Sequence, residues 1–136
     1  VEDNDFKKLR YPDLQEYTLI VAEDDSTNFM LLEKFLQPTQ AKIIWAKNGQ
    51  EAFDEFQKII DKEKLAILMD IKMPVMNGIR AADEIGRISD RIPVIAVTAY
   101  AQSQNKEEIL VHNFVDYIPK PIDSGVLIAY IQKYLS

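Results

Sequence analysis

From Thr18 onward, short apolar runs alternate with amphipathic stretches. Residues 18–22, 42–46, 65–69, 93–97 and 116–118 are mostly β-branched or fully apolar. Unbroken apolar runs suit strands covered on both faces, as in a parallel sheet. The stretches between them have helical spacing. Residues 26–36 follow the potential caps Asp25 and Ser26 and put Phe29, Leu32 and Leu36 on one face. Residues 48–60 open on a capping Asn and align Ala52, Phe53, Phe56 and Ile60 toward a core. Residues 78–88 set Ile79, Ala82, Ile85 and Ile88 opposite charged positions, with Gly86 as a weak point. Residues 102–111 are the most polar of the set. Residues 123–135 carry Leu127, Ile128, Ile131 and Leu135, with Lys133 in the last turn, where the helix dipole favours a cation. The alternation predicts an α/β fold: (βα)₅, a doubly wound parallel five-stranded sheet with helices on both faces. Ligands of such sheets bind beyond the carboxyl ends of the strands, at a topological switch point.

Residues 1–17 are polar, of mixed charge and interrupted by Pro12, and read as a linker or arm; residues 18–136 form one domain. No signal peptide is expected in the mostly charged residues 1–10, and the first residue is Val, which suggests a piece of a longer protein. No apolar stretch approaches the roughly 20 residues of a membrane span, so direct membrane contact is not expected. The chain has no Cys, which excludes thiolate metal sites and thiol nucleophiles and fits a reducing, cytoplasmic setting. Sixteen Lys+Arg against 22 Asp+Glu give a net charge of −6, without a basic run, and argue against direct nucleic-acid binding.

Chemistry-bearing residues fall where the fold places ligands. Glu23-Asp24-Asp25 follow the first strand, Asp70 the third, Thr98 the fourth and Lys120-Pro121 the fifth. Carboxylates meeting in one cleft repel one another and raise their pKa values. Lys120 or a hard divalent cation would offset that. With few ligands available, Mg²⁺ suits the site better than Ca²⁺, and the lack of thiol and imidazole disfavours Zn²⁺. An acidic cation site with a hydroxyl and an ammonium suits phosphoryl transfer, with Asp70 as nucleophile.

Residues 22–25 (AEDD), 69–78 (MDIKMPVMNG), 97–99 (VTA) and 119–121 (PKP), in this order and spacing, resemble the response-regulator receiver domain of two-component signalling. The resemblance covers roughly residues 18–135 and implies a flavodoxin-like strand order 2-1-3-4-5. It implies Asp70 as the phosphoacceptor; Asp24, Asp70 and the backbone carbonyl of Lys72 as ligands of Mg²⁺, with Glu23 acting directly or through water and Mn²⁺ able to substitute; and Thr98 and Lys120 as contacts of the phosphoryl group. The Lys120–Pro121 peptide is expected to be cis. Tyr117 matches the aromatic switch residue that responds to Thr98, while Lys72 and Tyr100 sit where the family tunes dephosphorylation. The donor implied is a histidine kinase or a histidine phosphotransfer domain. The pattern from Ala22 to Asn28 looks most like receivers attached to hybrid sensor histidine kinases, which could make this the cytoplasmic part of a membrane-bound sensor. Homodimer formation stays open, as does enzymatic catalysis of the domain's own phosphorylation and dephosphorylation. His112-Asn113 stand where receivers often have Gly.

Two other classes share the topology. A metal-dependent phosphohydrolase with an Asp nucleophile would usually carry a second Asp at position 72, where this chain has Lys. A flavodoxin-like FMN module would need Gly, Ser or Thr amides in the first loop, which here is acidic. Taken singly, the acidic run could be a helix N-terminal charge cluster, Thr98 a strand-end residue, Lys120 a surface lysine, and Tyr117 and Tyr100 ordinary aromatics.

Overall fold

A computed structural model describes residues 11–99 and 106–135. It contains five strands, β1 (Thr18–Ala22), β2 (Lys42–Ala46), β3 (Leu65–Asp70), β4 (Val94–Thr98) and β5 (Asp116–Pro119). The helices are α1 (Ser26–Leu36), α2 (Gly49–Lys58), α3 (Gly78–Ile88), α4 (Lys106–Leu110) and α5 (Ser124–Leu135). All strand pairs are parallel, and the order is β2-β1-β3-β4-β5. The order reverses between β1 and β3, so the connections leave on opposite faces there and open a cleft at the strand ends.

Strand alternation divides the core in two. Leu19, Val21, Leu68, Ile95 and Val97 face α1 and α5, packing with Phe29, Leu32, Leu36, Leu127 and Ile131. Ile20, Ala22, Ile67, Met69 and Ala96 face α2, α3 and α4, packing with Phe56, Ala81, Ile85 and Ile109. The three central strands are buried along their length, as their unbroken apolar runs require, while the edge strands β2 and β5 are partly open.

Several expectations are corrected. α2 ends at Lys58 and Ile59 turns extended, so Ile60 leaves the helical face and is 98% exposed. Ile88, in the last turn of α3, is likewise exposed. Asp70 and Thr98 are the last residues of their strands and not the first of the following loops. Gly86 has a packing reason: a Cβ there would meet the Asn113 side chain, whose amide donates to the Ala82 carbonyl. His112 packs on the same helix, with Nδ1 2.8 Å from Asp83 Oδ2. Before β1, Leu14 is 1% exposed in the α1–α5 core and its N–H donates to the Thr39 carbonyl. Packing therefore begins upstream of the first strand. Part of the polar 102–111 stretch, and Tyr100, lie outside the described residues.

Candidate functional site

The loop after β1 is held by local capping chemistry. Asp25 caps α1, its Oδ1 accepting from the N–H groups of Thr27 and Asn28. Glu23 does not point outward with its neighbours. It is 1% exposed, and its Oε2 accepts from the Asp25 N–H at 3.1 Å. Asp24 is exposed between them. The loop after β3 is shaped by backbone packing. Asn77 caps α3 through the Arg80 N–H, and the Gly78 N–H donates to the Ile71 carbonyl at 2.8 Å. A Cβ on Gly78 would fall inside the Asp70 backbone carbonyl, so glycine is required for α3 to start this close to the strand end.

Asp70, 7% exposed, accepts at Oδ1 from the Lys72 N–H, at 3.3 Å. The Lys120 ammonium reaches back from the end of β5 and bridges two acids, 2.9 Å from Glu23 Oε1 and 3.1 Å from Asp70 Oδ2. The Lys120 N–H donates to the Thr98 carbonyl, tying the ends of β4 and β5 together, and the Lys120–Pro121 peptide is cis. Thr98 is 1% exposed and sits one register step beyond Val97, the partner of Asp70. Among the described residues, every buried polar side-chain atom has a hydrogen-bond partner.

Carboxylate oxygens of Glu23, Asp24 and Asp70 lie within 4.8 Å of one another. Two oxygens on opposite sides of an ion bound at ~2.1 Å are ~4.2 Å apart, so the cluster fits a small hard cation with slight adjustment. The donors are all oxygen, and three carboxylates face one ammonium, which leaves an excess of negative charge for a divalent ion. Burial holds the Glu23 carboxyl above its ordinary pKa, the negative charge of Asp70 adding to that, against the lowering pull of Lys120 and the Asp25 N–H. For Lys120 burial acts downward, but the hydrogen bond to Glu23 and the charge of Asp70 prevail and raise it.

The structure thus brings Glu23, Asp24, Asp70, Thr98 and Lys120 to one rim. Lys72 lies two residues past Asp70, in the loop after β3. Tyr117 lies on β5 opposite Ala96, packed against the core beneath α2, α3 and α4 and one turn of the pleat from Thr98. Trp45 lies on β2. Its indole donates to the Glu23 carbonyl at 2.7 Å. No sequence signal marks such a bond, because it depends on the register of two strands and the direction of one ring.

The response regulator receiver domain family matches residues 19–132. The chain is 37% identical over 123 residues to hybrid signal transduction histidine kinase I of Dictyostelium discoideum, covering 86% of this chain and 7% of that protein. It is 37% identical over 118 residues to the regulatory protein AtoC of Escherichia coli, covering 86% of this chain and 24% of that one. The chain therefore spans a small part of these relatives. The receiver domain of sensor histidine kinase PA1611 from Pseudomonas aeruginosa, solved with a magnesium ion in its active-site cleft, superposes with a TM-score of 0.74 at 27% identity, covering 88% and 97% of the two chains. The receiver domain of Ssk1 from Saccharomyces cerevisiae, solved with the histidine phosphotransfer protein Ypd1, does so with a TM-score of 0.80 at 27% identity, covering 92% and 90%. In motif, strand order and cleft alike, this chain belongs to the response regulator receiver domain family.

Proposed function

We propose that this domain takes a phosphoryl group from phosphohistidine onto Asp70 and uses it to bias a partner-binding surface. The observation that carries this is the double contact of Lys120 with Glu23 and Asp70 beside the three-carboxylate cluster. Glu23, Asp24, Asp70 and the Lys72 carbonyl would hold Mg²⁺, or Mn²⁺ in its place. The bound ion supplies neutralising charge for the phosphoryl oxygens. An Asp70 oxygen attacks phosphorus, the P–N bond breaks, and the imidazole nitrogen leaves with the bonding electron pair. Lys120 stands ready to follow the negative charge from the carboxylate to the phosphoryl oxygens, and Thr98 offers its hydroxyl to one of them. Drawing Thr98 inward repositions the Tyr117 ring, a population shift between two states of one fold. Lys72 and Tyr100 tune the lifetime of the acyl phosphate.

The donor is a histidine kinase or a histidine phosphotransfer domain in the cytoplasm, and the parent protein is a hybrid kinase; the Dictyostelium relative supports that architecture. Among the described residues, no helix is long and apolar enough to cross a membrane. Lysine at position 72 deprives the phosphohydrolase alternative of its second Asp. The test is incubation with a histidine-phosphorylated donor, with Mg²⁺ or with chelator. Stoichiometric, Mg²⁺-dependent labelling is expected. No labelling from any competent donor, or release of many phosphates per chain from a small phosphomonoester, would overturn the proposal.

A further inference from the structure

Both backbone groups of Glu23 are held by strand β2. The β1–β2 ladder ends at the pair Ala22 and Ala46, yet the Glu23 N–H still donates to the Ala46 carbonyl at 2.9 Å. The Glu23 carbonyl then takes its hydrogen bond from a side chain, the Trp45 indole. That indole is itself fixed. The Phe29 ring of α1 lies parallel to it, with centroids 4.4 Å apart and planes 5° from parallel. The Lys47 ammonium sits 5.0 Å from its ring centroid. Such aromatic and cation contacts orient a ring as well as bury it.

The consequence falls on Asp24. The carbonyl of Glu23 and the nitrogen and Cα of Asp24 share one planar peptide unit. Fixing that carbonyl fixes the direction in which Asp24 leaves the strand. Asp24 is exposed, so it lacks the enclosing side-chain packing that places Glu23 and Asp70. What the fold holds of Asp24 is its backbone, from which the carboxylate reaches the cluster.

We infer that Trp45 is a positioning residue for the cation site, holding the Glu23–Asp24 peptide so that the Asp24 carboxylate meets those of Glu23 and Asp70. This rests on reading that cluster as the Mg²⁺ site. Trp45 acts through the Glu23–Asp24 peptide, to whose carbonyl its indole donates. Groups that orient metal ligands in this way contribute about 10- to 100-fold to affinity, and a partly open site belongs at the lower end.

The chain has one Trp, so the test is clean. Two proteins are compared with wild type: Trp45→Phe, and a form carrying β-(3-benzothienyl)alanine at position 45, which keeps the bicyclic ring and replaces N–H by sulfur. Mg²⁺ binding is measured by calorimetry, and folding without metal by circular dichroism. Both forms are expected to fold and to bind Mg²⁺ about tenfold more weakly. Phosphoryl transfer should slow at low Mg²⁺ and recover at saturating Mg²⁺. In wild type, Trp45 emission should change along the same Mg²⁺ titration curve as the heat. Wild-type affinity in a folded benzothienyl form would overturn the role of Trp45 and leave the cation site standing. A wild-type protein that binds no Mg²⁺ would overturn the cation site and this inference together.

Discussion

The loops after β1 and β3 flank the same cleft, one carrying Glu23 and Asp24 and the other leaving its strand at Asp70, and are built on different principles. The β1–α1 loop is polar and well satisfied. Glu23, Asp25, Trp45 and Lys120 hold it by hydrogen bonds and charge. The β3–α3 loop is held by close backbone packing. Val75 sits at φ 67°, and the Met76 N–H bonds to the Pro74 carbonyl across it. Left-handed backbone is costly for a β-branched residue. Met76 in turn accepts from the Gly49 N–H, at a place where a Cβ would fall inside the Met76 carbonyl. One loop is therefore sensitive to charge and the other to volume.

The largest effect separates chemistry from packing. Asp70→Asn keeps the shape of the strand end and should abolish labelling by a phosphorylated donor while the circular dichroism spectrum stays that of wild type; retained labelling would remove Asp70 from its role. Next comes volume. Gly78→Ala should destabilise the fold by about 3 kcal/mol in urea denaturation, because backbone must move to admit the methyl. A change within measurement error would show that the β3–α3 loop yields easily.

Charge in the β1–α1 loop should act in the opposite sense on stability. The folded-state pKa of Glu23 is raised, so the folded protein holds that proton more tightly than the unfolded chain. This contribution is full below the ordinary value of 4.5 and is lost as pH rises through the raised one. In chelator, Glu23→Gln should melt higher than wild type at neutral pH, and the gap should close on acidification. With Mg²⁺ added, wild type should gain stability and the variant much less. A variant less stable than wild type in chelator at neutral pH would reverse the assigned direction. The smallest effect is at Val75. Val75→Asn relieves the left-handed backbone and should stabilise by about 1 kcal/mol. At this chain length that is a melting point higher by roughly 3–5 °C, measured by calorimetry.

The fold was legible because burial on both faces leaves its mark in composition: β1, β3 and β4 read as unbroken apolar runs. The site was legible because strand ends have fixed places in such a sheet, so Glu23, Asp24, Asp70, Thr98 and Lys120 could be put on one rim without coordinates. Helix ends were harder to read. Ile60 and Ile88 have the right spacing for a core face but lie where the helix stops or frays, and periodicity carries no information about that. Leu14 looks like part of a polar arm, yet one apolar side chain suffices to extend the core. The Trp45–Glu23 and His112–Asp83 bonds join residues far apart in sequence by geometry that no local pattern encodes.

The central claim is that Asp70 becomes the acyl phosphate, and borohydride trapping tests it most directly. The protein is phosphorylated by a histidine-phosphorylated donor in Mg²⁺, reduced, digested and sequenced by mass spectrometry. Homoserine at position 70, absent when chelator replaces Mg²⁺, is the expected result. Homoserine at position 23 or 24 instead, or an acid-stable phosphate with residue 70 unchanged, would contradict it.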